Sequence, residues 1–426
     1  MIITILLAAF VVLLLLGMPV AFAIGVSSTL AIFLSGDSLL VAAHYMFGGV
    51  NSYLLVAIPM FVLAGDLMLH SGMTRSLTDF ADLFVGRLRG GLGHTNIAGS
   101  VFFSGITGSA TADTTAIGSV MIPAMTENGY GRAYATAITV ASSAIGPIIP
   151  PSLTFVIYAL AVGNISIGGL FVAGLVPGLL TAAALMVMNH LISTRRGYPK
   201  REYAYSTQEA LAITRKSLVV LVMPALIAFG VITGVYTATE AAAVAAAYAL
   251  IISLVMRKLH LRVLPRLFFS ASKTSSIMFL LLATSSLFSY VLSSQGIPAD
   301  IARAFDGLTD SPLVFLLILN ITLLLIGLVI DLYPAILIFG PIFAPIAQQY
   351  GIDPIHFGVL FCVNLIMGMN TPPVGSGLFI GSAIGRVSIE ALVKEIMPFV
   401  LMQMVVLMLI TYVPVLTTGL PRLFGY

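Results

Sequence analysis

The stretch SSAIGPIIPPS, residues 142–152, decides how this chain folds. It lies inside a long run without any charged residue, from position 133 to position 194, that is apolar enough to cross a membrane. Proline removes a helical hydrogen bond and clashes with the preceding turn, and lipid offers no water to the carbonyl that is released. Gly146 and the pair Pro150-Pro151 therefore predict a transmembrane helix that is broken near its middle.

Composition places the chain among polytopic membrane proteins. It is 59% hydrophobic and 8% charged, with a mean hydropathy of +1.10, whereas soluble domains carry roughly 25% charged residues. The single cysteine, Cys362, excludes an internal disulfide framework and a cysteine metal site, and it is expected to be a small apolar core residue. Residues 1–16 lack a basic segment and a small-residue cleavage site, so no cleavable signal peptide is expected.

Apolar segments of about 20 residues can each cross a bilayer. The predicted spans are 53–70, 133–162, 170–194, 217–235, 237–256, 274–294, 355–385 and 396–417. Residues 1–34 form either one kinked helix or two short ones, because Gly17-Met18-Pro19 interrupts them. The stretches 94–131 and 312–350 are apolar, but Gly, Pro and Asp recur in them at intervals too short for clean helices. We interpret both as re-entrant hairpins, one from each face of the membrane.

The basic residues support this topology. With both stretches as hairpins, 17 of the 19 Lys and Arg residues share one side, and Arg303 and Arg422 lie on the other. Basic loops stay in the cytoplasm, so the first side is cytoplasmic. A full crossing by either stretch would divide the basic loops between the two sides. The segment 73–88 is amphipathic and predicts an interfacial helix at the cytoplasmic surface.

The chain also contains an internal duplication. A second proline pair, Pro372-Pro373, lies in NTPPVGSG (370–377), 222 positions after the first pair. Other backbone-breaking residues recur ungapped at this offset, namely Gly105/Gly327, Gly118/Gly340, Pro123/Pro345, Gly129/Gly351, Gly146/Gly368 and Gly163/Gly385. Arg132 precedes the first broken helix on the cytoplasmic side, whereas Asp353 precedes the second outside. Inverted repeats with interrupted helices indicate a secondary transporter with its site near the membrane midplane.

The predicted fold is therefore an all-α polytopic membrane protein with inverted repeats, divided into four parts. Scaffold helices and an amphipathic arm occupy 1–93, a first repeat core 94–194, central scaffold helices and cytoplasmic loops 195–311, and a second repeat core 312–426. Each core contains a hairpin, a broken helix and a further helix. These are 94–131, 133–162 and 170–194 in the first core, and 312–350, 355–385 and 396–417 in the second.

Several motifs resemble the large membrane subunit of TRAP (tripartite ATP-independent periplasmic) transporters. They are GSATADT at 108–114, GPIIPPS at 146–152, TATEAAAVAA at 237–246 and IDPIHFGV at 352–359, and the resemblance runs from LGMPVAFAIG at 16–25 to the end of the chain. It implies a subunit in the bacterial inner membrane that imports an organic acid together with sodium. It further implies a periplasmic substrate-binding protein, a small four-helix membrane subunit, and an elevator movement of the hairpins and broken helices. Neither a cofactor other than the coupling sodium ion nor a nucleic acid is implied.

Four carboxylates fall within or beside apolar segments: Asp66, Asp113, Glu240 and Asp331. A charge deep in a bilayer is costly, so such residues are functional candidates. Asp113 and Asp331 lie in the two hairpins and are the stronger candidates. Asp66 is expected to reach cytoplasmic water, and Glu240 is equally well explained as a carboxylate that stabilises a helix N-terminus.

Sodium prefers oxygen ligands, which unwound helices supply. The candidate ligands in the first repeat are Thr107, Ser109, Asp113, Ser142, Ser143 and the backbone from Gly146 to Pro150. Those in the second repeat are Gly327, Asp331, Asn364, Asn370, Thr371 and the backbone from Gly368 to Gly375. Each hydroxyl has an alternative role, which is to satisfy a local helix carbonyl.

The substrate is expected between the hairpin tips. There the half-helix N-termini and four small residues would let an anion approach the backbone closely, namely Gly108, Ala110, Gly375 and Gly377. No arginine is placed at that depth by the sequence, so sodium itself would supply the anchoring charge.

Three other functions remain open at this point. A self-contained sodium- or proton-coupled anion carrier or antiporter would need no binding protein. An intramembrane enzyme would need a catalytic constellation at depth, and a channel would not need two hairpins. The histidines, at 44, 70, 94, 190, 260 and 356, show no ligand-like spacing and are expected at solvated or interfacial positions. The segment GRLRGGLG at 86–93 has neither a preceding strand nor a Walker lysine, so ATP binding is not supported.

The topology is testable with single cysteines introduced into a Cys362→Ala background. Ser206→Cys should be reached by an impermeant thiol reagent only after cells are opened, because its loop is basic and cytoplasmic. Thr309→Cys should be reached in intact cells. Labelling of both positions from outside would contradict the inverted arrangement.

Overall fold

The computed structural model describes residues 2–200, 204–256, 259–372 and 375–426, and within these ranges the chain is helical and contains no strand. The helices up to the first repeat core are α1 (Ile2–Leu15), α2 (Val20–Ser35), α3 (Leu39–Val50), α4 (Ala57–His70) and α5 (Thr74–Val85). The first core contains α6 (Gly91–Thr107), α7 (Ala110–Glu127), α8 (Arg132–Ser143), α9 (Leu153–Val162) and α10 (Ile167–Arg196).

The central region contains α11 (Thr207–Ile232), α12 (Ala238–Val255), α13 (Leu264–Ser294) and α14 (Ile297–Asp306). The second core contains α15 (Pro312–Val329), α16 (Leu332–Gln349), α17 (Pro354–Gly368), α18 (Ser376–Gly385) and α19 (Ile389–Tyr412), and it is followed by α20 (Val415–Leu423). In the described part of the chain, 8 helices are long and apolar enough to cross a membrane. They include six of the predicted spans, together with α15 and α16.

Both predicted helix breaks are present. In the first, α8 ends at Ser143 and α9 begins at Leu153. The hydroxyl of Ser152 donates a hydrogen bond to the Pro147 carbonyl and accepts one from the first turn of α9, so it caps the new helix. In the second, α17 ends at Gly368 and α18 begins at Ser376. Pro372 lies in this second break, whereas Pro373 falls outside the described residues.

The two hairpin stretches form more regular helices than the sequence predicted. The arms α6 and α7 meet at Gly108 and Ser109, and the arms α15 and α16 meet at Ile330 and Asp331. These arms are 17 and 18 residues long in the first hairpin and 18 residues each in the second. The expectation that Gly and Pro would prevent clean helices was wrong. Prolines lie inside α7 and α16, where each one removes a single hydrogen bond without ending the helix.

The helix boundaries also recur at the offset of 222 residues. The ends of α6 and α7 map onto those of α15 and α16, since Thr107 corresponds to Val329 and Glu127 to Gln349. The starts of α8 and α10 map onto the starts of α17 and α19. Five helices in one half of the chain therefore have counterparts in the other half, in the same order and at the same spacing.

The N-terminal region, which the sequence left open, consists of two helices. Gly17 adopts φ of +82° between α1 and α2, a conformation that favours glycine. The amphipathic segment forms α5, whose Leu77 is fully buried while Phe84 is 68% exposed. Glu240 is exposed and accepts the backbone hydrogen bond of Thr237, and together the two residues form a capping box. Its role at this position is therefore helix capping.

Two histidines are not solvated as expected. His94 and His356 are each only 2% exposed. His356 Nδ1 lies 2.7 Å from the hydroxyl oxygen of Thr417, so α17 and α20 are joined by a buried polar contact. His356 lies near the end of a predicted span, and this position in the sequence did not reveal that α20 would cover its side chain.

The second hairpin and the second break are packed backbone on backbone. A Cβ added at Gly368 would lie 2.9 Å from the Cα of Gly327, and one added at Gly327 would lie 3.1 Å from the Cα of Gly368. Real Cβ atoms are essentially never found 2.9 Å from a backbone atom, so Gly368 requires glycine, and at Gly327 a side chain would force the facing backbone to move. The close approach fixes the hairpin against the broken helix.

We expect Gly368→Ala to destabilise the protein by about 1–3 kcal/mol, because the added methyl group must push two backbones apart. The measurement is thermal unfolding in detergent followed by circular dichroism. Gly307→Ala is the control, since Gly307 lies at an exposed helix end and its nearest neighbour would be 3.4 Å away. Equal unfolding temperatures for the two variants would contradict this packing argument.

Candidate functional site

A cavity of about 510 Å³ lies where both hairpin tips meet the N-terminal and central helices. Ser109 and Thr111 line it from the first hairpin, and Asp331 and Tyr333 line it from the second. The opposite wall is formed by α4 and α13, which contribute Phe61, Val62, Gly65, Asp66, Leu69, Thr274 and Met278. The sequence predicted a substrate site between the hairpin tips, and residues from both hairpins line this cavity.

Helix N-termini converge on this cavity. Ser109 is the N-cap of α7 and Asp331 is the N-cap of α16. Leu153, the first residue of α9, also lines the cavity, and Ser376, the first residue of α18, donates a hydrogen bond of 3.0 Å to Asp331. Each N-terminus carries a partial positive charge and free N–H groups. The arrangement is therefore suited to an anion.

The side-chain charges of the cavity are negative. Asp66 and Asp331 line it, and none of the described lining residues is Lys, Arg or His. An anion would meet two carboxylates here, and only the helix N-termini would oppose their charge. A cation bound close by would remove this repulsion.

Asp66 has a further neighbourhood that the sequence did not indicate. It is partly exposed and lines the cavity that also contains Ser109 and Asp331. Sequence position alone located Asp66 near the C-terminal end of α4. It could not show that α4 would face the hairpin tips.

Asp113 lies behind the cavity wall, in the first turn of α7. It is fully buried, and neither carboxylate oxygen has a hydrogen-bond partner in the described part of the chain. A buried carboxylate without a partner is strongly disfavoured unless it is protonated or binds a cation. Asp113 is therefore a candidate for protonation or for cation binding.

The neighbouring hydroxyls are already engaged. Ser142 donates to Asn96 and accepts from Ser100, and Ser143 donates to the Val140 carbonyl over 2.8 Å. These contacts favour the local role of the two serines, although each oxygen retains lone pairs. The side chain of Thr107, another predicted ligand, falls outside the described part of the structure.

The first break packs directly against the first hairpin tip. A Cβ at Gly146 would lie 3.4 Å from the Ser109 carbonyl oxygen, and one at Gly108 would lie 2.6 Å from the Pro151 carbonyl oxygen. Among the described residues, no hydrogen bond engages the carbonyls of Gly146 and Pro150. The break thus leaves backbone oxygens free beside the hairpin, as the sequence predicted.

The second repeat contains a comparable set of free oxygens. Asn364 donates to Asn320 Oδ1 over 2.6 Å, and Asn370 donates to the Val140 carbonyl over 3.1 Å. The side-chain oxygens of both Asn364 and Asn370 are buried and have no partner among the described residues. Thr371 instead donates to the Met367 carbonyl, which is the local alternative. Two amide oxygens beside the Gly327–Gly368 contact are therefore available to a cation.

The four small residues proposed to contact substrate do not line the cavity. Gly108, Ala110, Gly375 and Gly377 are all buried. A Cβ at Gly375 would lie 2.4 Å from the Met369 carbonyl oxygen, and one at Gly377 would lie 2.1 Å from Asn370 Oδ1. Their small size lets the tips and breaks pack together, while Ser109, Thr111 and Ala112 form the cavity surface.

Sequence reasoning missed Gln403. It lies in α19, is 1% exposed, and donates to the Ala141 carbonyl near the end of α8 over 2.9 Å. Its own oxygen has no partner in the described structure. The available signal was an uncharged polar residue in the middle of an apolar span, which has the same implication as a buried carboxylate. The described residues contain no group of three or more His, Cys, Asp or Glu that could hold a metal ion.

The whole chain can be compared with known proteins. The family described as "Tripartite ATP-independent periplasmic transporter, DctM component" matches residues 7–416. The chain belongs to this TRAP transporter family. It is 38% identical over 413 residues to the sialic acid TRAP transporter large permease protein SiaM of Vibrio cholerae, covering 96% of each chain. It is also 38% identical over 404 residues to the C4-dicarboxylate TRAP transporter large permease protein DctM of Pseudomonas aeruginosa, covering 94% of each.

A solved structure shares the fold of this TRAP permease. The crystal structure of the Alcanivorax borkumensis YdaH transporter matches it with a TM-score of 0.65 over 86% of each chain, at 13% sequence identity. At this identity the likeness concerns the fold alone. Membership of the TRAP family makes the chain a multi-pass translocation subunit of the bacterial inner membrane, and it excludes the alternative of an intramembrane enzyme.

Proposed function

We propose that this TRAP permease imports an organic anion, most simply a carboxylate, together with sodium ions. One observation carries the proposal: a cavity suited to an anion lies next to buried oxygens without hydrogen-bond partners behind each hairpin tip. The cavity supplies helix N-termini, and the two breaks supply carboxylate, amide and carbonyl oxygens. The two halves of the site are chemically complementary.

Sodium is the coupling ion in this proposal because the free groups are hard oxygen donors. Asp113 and the carbonyls of the first break would hold one ion, and Asn364, Asn370 and the backbone near Gly368 would hold another. Ser109 and Asp331 lie at equivalent positions of the two repeats, on the cavity side of these groups. A bound cation behind each tip would offset the negative charge that the cavity presents to an anion.

The names of the two relatives support an organic anion as substrate. Sialic acid and C4-dicarboxylates both carry carboxylates, and the permeases named for them share 38% identity with this chain. Carboxylate binding at the converging N-termini of α7, α9, α16 and α18 needs no arginine. The cavity of about 510 Å³ is large enough for a small organic acid.

Two partners complete the proposed importer. The family description is tripartite, and the described part of this chain contains no soluble domain that could capture substrate. A periplasmic binding protein would deliver the anion, and a small four-helix membrane subunit would join the scaffold. The hairpins and broken helices would move as one unit against α4 and α13, in an elevator movement that exposes the cavity to each side in turn.

Reconstitution tests dependence on partners. The permease alone in liposomes should show little uptake under an inward sodium gradient, because nothing concentrates the substrate at its site. Addition of the small subunit and the liganded binding protein should restore uptake of a radiolabelled carboxylate. Full uptake by the permease alone would favour a self-contained carrier. Equal uptake driven by a proton gradient in the absence of sodium would contradict the proposal that sodium is the coupling ion.

Neutralising Asp113, the proposed ligand of the first ion, and Asp331, the carboxylate on the cavity side of the second, tests the sodium sites. Asp113→Asn and Asp331→Asn should each raise the sodium concentration for half-maximal uptake by about tenfold, the equivalent of roughly 1.4 kcal/mol of lost cation binding. The readout is the initial uptake rate against sodium concentration at fixed membrane potential, with the amount of folded protein matched.

Glu240→Gln is the matched control, because Glu240 is exposed and caps α12, a helix that contributes no residue to the cavity. Its sodium dependence should equal that of the parent protein. An unchanged sodium dependence in both aspartate variants would show that neither carboxylate contributes to a sodium site.

A further inference from the structure

A second polar cavity, of about 280 Å³, lies between the same two groups of helices. Three serines of α13 line it, Ser285, Ser286 and Ser289, together with Ser52 and the close-packed Gly49. The other wall comes from α9 and α16, the helices that follow the first break and the second hairpin tip. This cavity shares no lining residue with the first.

The two cavities occupy one face of α13. Thr274 and Met278 line the first cavity, and eleven residues further along the helix Ser285 and Ser289 line the second. Eleven residues are just over three full turns, so each pair faces the same way, and the axial separation is about 16 Å. Between Thr274 and Ser285 lie Met278, at the edge of the first cavity, and Leu282, at the edge of the second, and both are buried and apolar. The face of α13 is therefore polar, apolar and polar again.

The wall opposite α13 is formed by α9 and α16, and there too the two cavities are lined by residues at different heights along each helix. On α9 the lining moves from Leu153 to Leu160, and on α16 it moves from Tyr333 to Leu337. The N-termini of α9 and α16 face the first cavity, and the second cavity lies further along both helices. In the conformation seen here, apolar side chains of α9 and α16 therefore face the serines, and the polar hairpin tips face Thr274.

Ser285 is in an unusual state for a buried helical serine. It is 2% exposed, and its hydroxyl has no hydrogen-bond partner in the described part of the chain. Earlier on the same helix, the hydroxyls of Ser275 and Ser276 each donate a hydrogen bond to the backbone carbonyl four residues before them. A buried hydroxyl without a partner is destabilising, which points to a ligand that satisfies it in another state.

We propose that the serine-lined cavity is the scaffold half of a second substrate position. This inference rests on the proposed function. The unit that carries Ser109 and Asp331 slides about 16 Å along α13, so that the tips leave Thr274 and face Ser285. The serine hydroxyls then donate hydrogen bonds to the carboxylate or hydroxyl groups of the organic anion. Met278 and Leu282 separate the two resting positions, because an apolar wall offers a polar substrate no site between them.

Paired cysteines in a Cys362→Ala background test the displacement. Thr111→Cys with Thr274→Cys should be joined by a short bifunctional thiol reagent, since both residues line the first cavity. Thr111→Cys with Ser285→Cys should be joined as well, in the population that has moved. The fraction joined should change in opposite directions for the two pairs when sodium and substrate are added.

Thr111→Cys with Ser276→Cys is the control, because Ser276 is exposed on another face of the same helix and should not be joined in either state. If the Thr274 pair is joined and the Ser285 pair is not, while the double variants retain sodium-dependent uptake, the second position is refuted and the proposed function stands. Loss of sodium-dependent uptake in the parent protein would instead refute the proposed function.

Ser285→Ala adds a readout that does not depend on crosslinking. Removal of one hydrogen bond to the substrate should raise the substrate-loaded binding protein concentration for half-maximal uptake by about fivefold, without changing the sodium dependence. Ser276→Ala should leave both values unchanged. An unaltered half-maximal concentration in Ser285→Ala would contradict a substrate contact at this serine.

Discussion

Backbone hydrogen bonding in a medium without water is the constraint on which the rest of this structure depends. Each break in a membrane helix releases carbonyl and N–H groups that lipid cannot satisfy. Three of the four half-helices, α8, α9 and α17, are accordingly largely buried, and every residue of α17 from His356 to Gly368 is buried. The hairpins, α10 and α19 pack against them, so the described backbone of the two breaks is bordered by protein.

The two repeats satisfy each other's free groups. Asn370 and Gln403, both from the second repeat, donate to carbonyls near the end of α8 in the first. Arg132, at the start of α8, donates to the Gly385 carbonyl at the end of α18 over 2.8 Å. These bonds cross between repeats, so the two broken helices form one unit. A unit of this kind can move as a body, which is what the elevator proposal requires.

Much of this arrangement could be predicted from particular residues. The proline pairs located the breaks, and the offset of 222 residues located the second half from the first. What the sequence could not provide was contact between distant helices. Asp66 and Thr274 lie on α4 and α13, and only folding shows that both face the hairpin tips. Likewise, the small size of Gly108 and Gly375 correctly predicted that another group would pack closely against each of them. In the structure, that group is protein backbone in both cases.

The central claim is that the unpartnered oxygens beside the two breaks bind sodium. Its most direct measurement is the thermal unfolding temperature of the purified permease in sodium chloride, compared with potassium chloride at equal ionic strength. A ligand that binds only the folded state raises its stability. We predict a higher unfolding temperature in sodium that is lost in Asp113→Asn and retained in Glu240→Gln. Identical unfolding curves in the two salts would contradict this account.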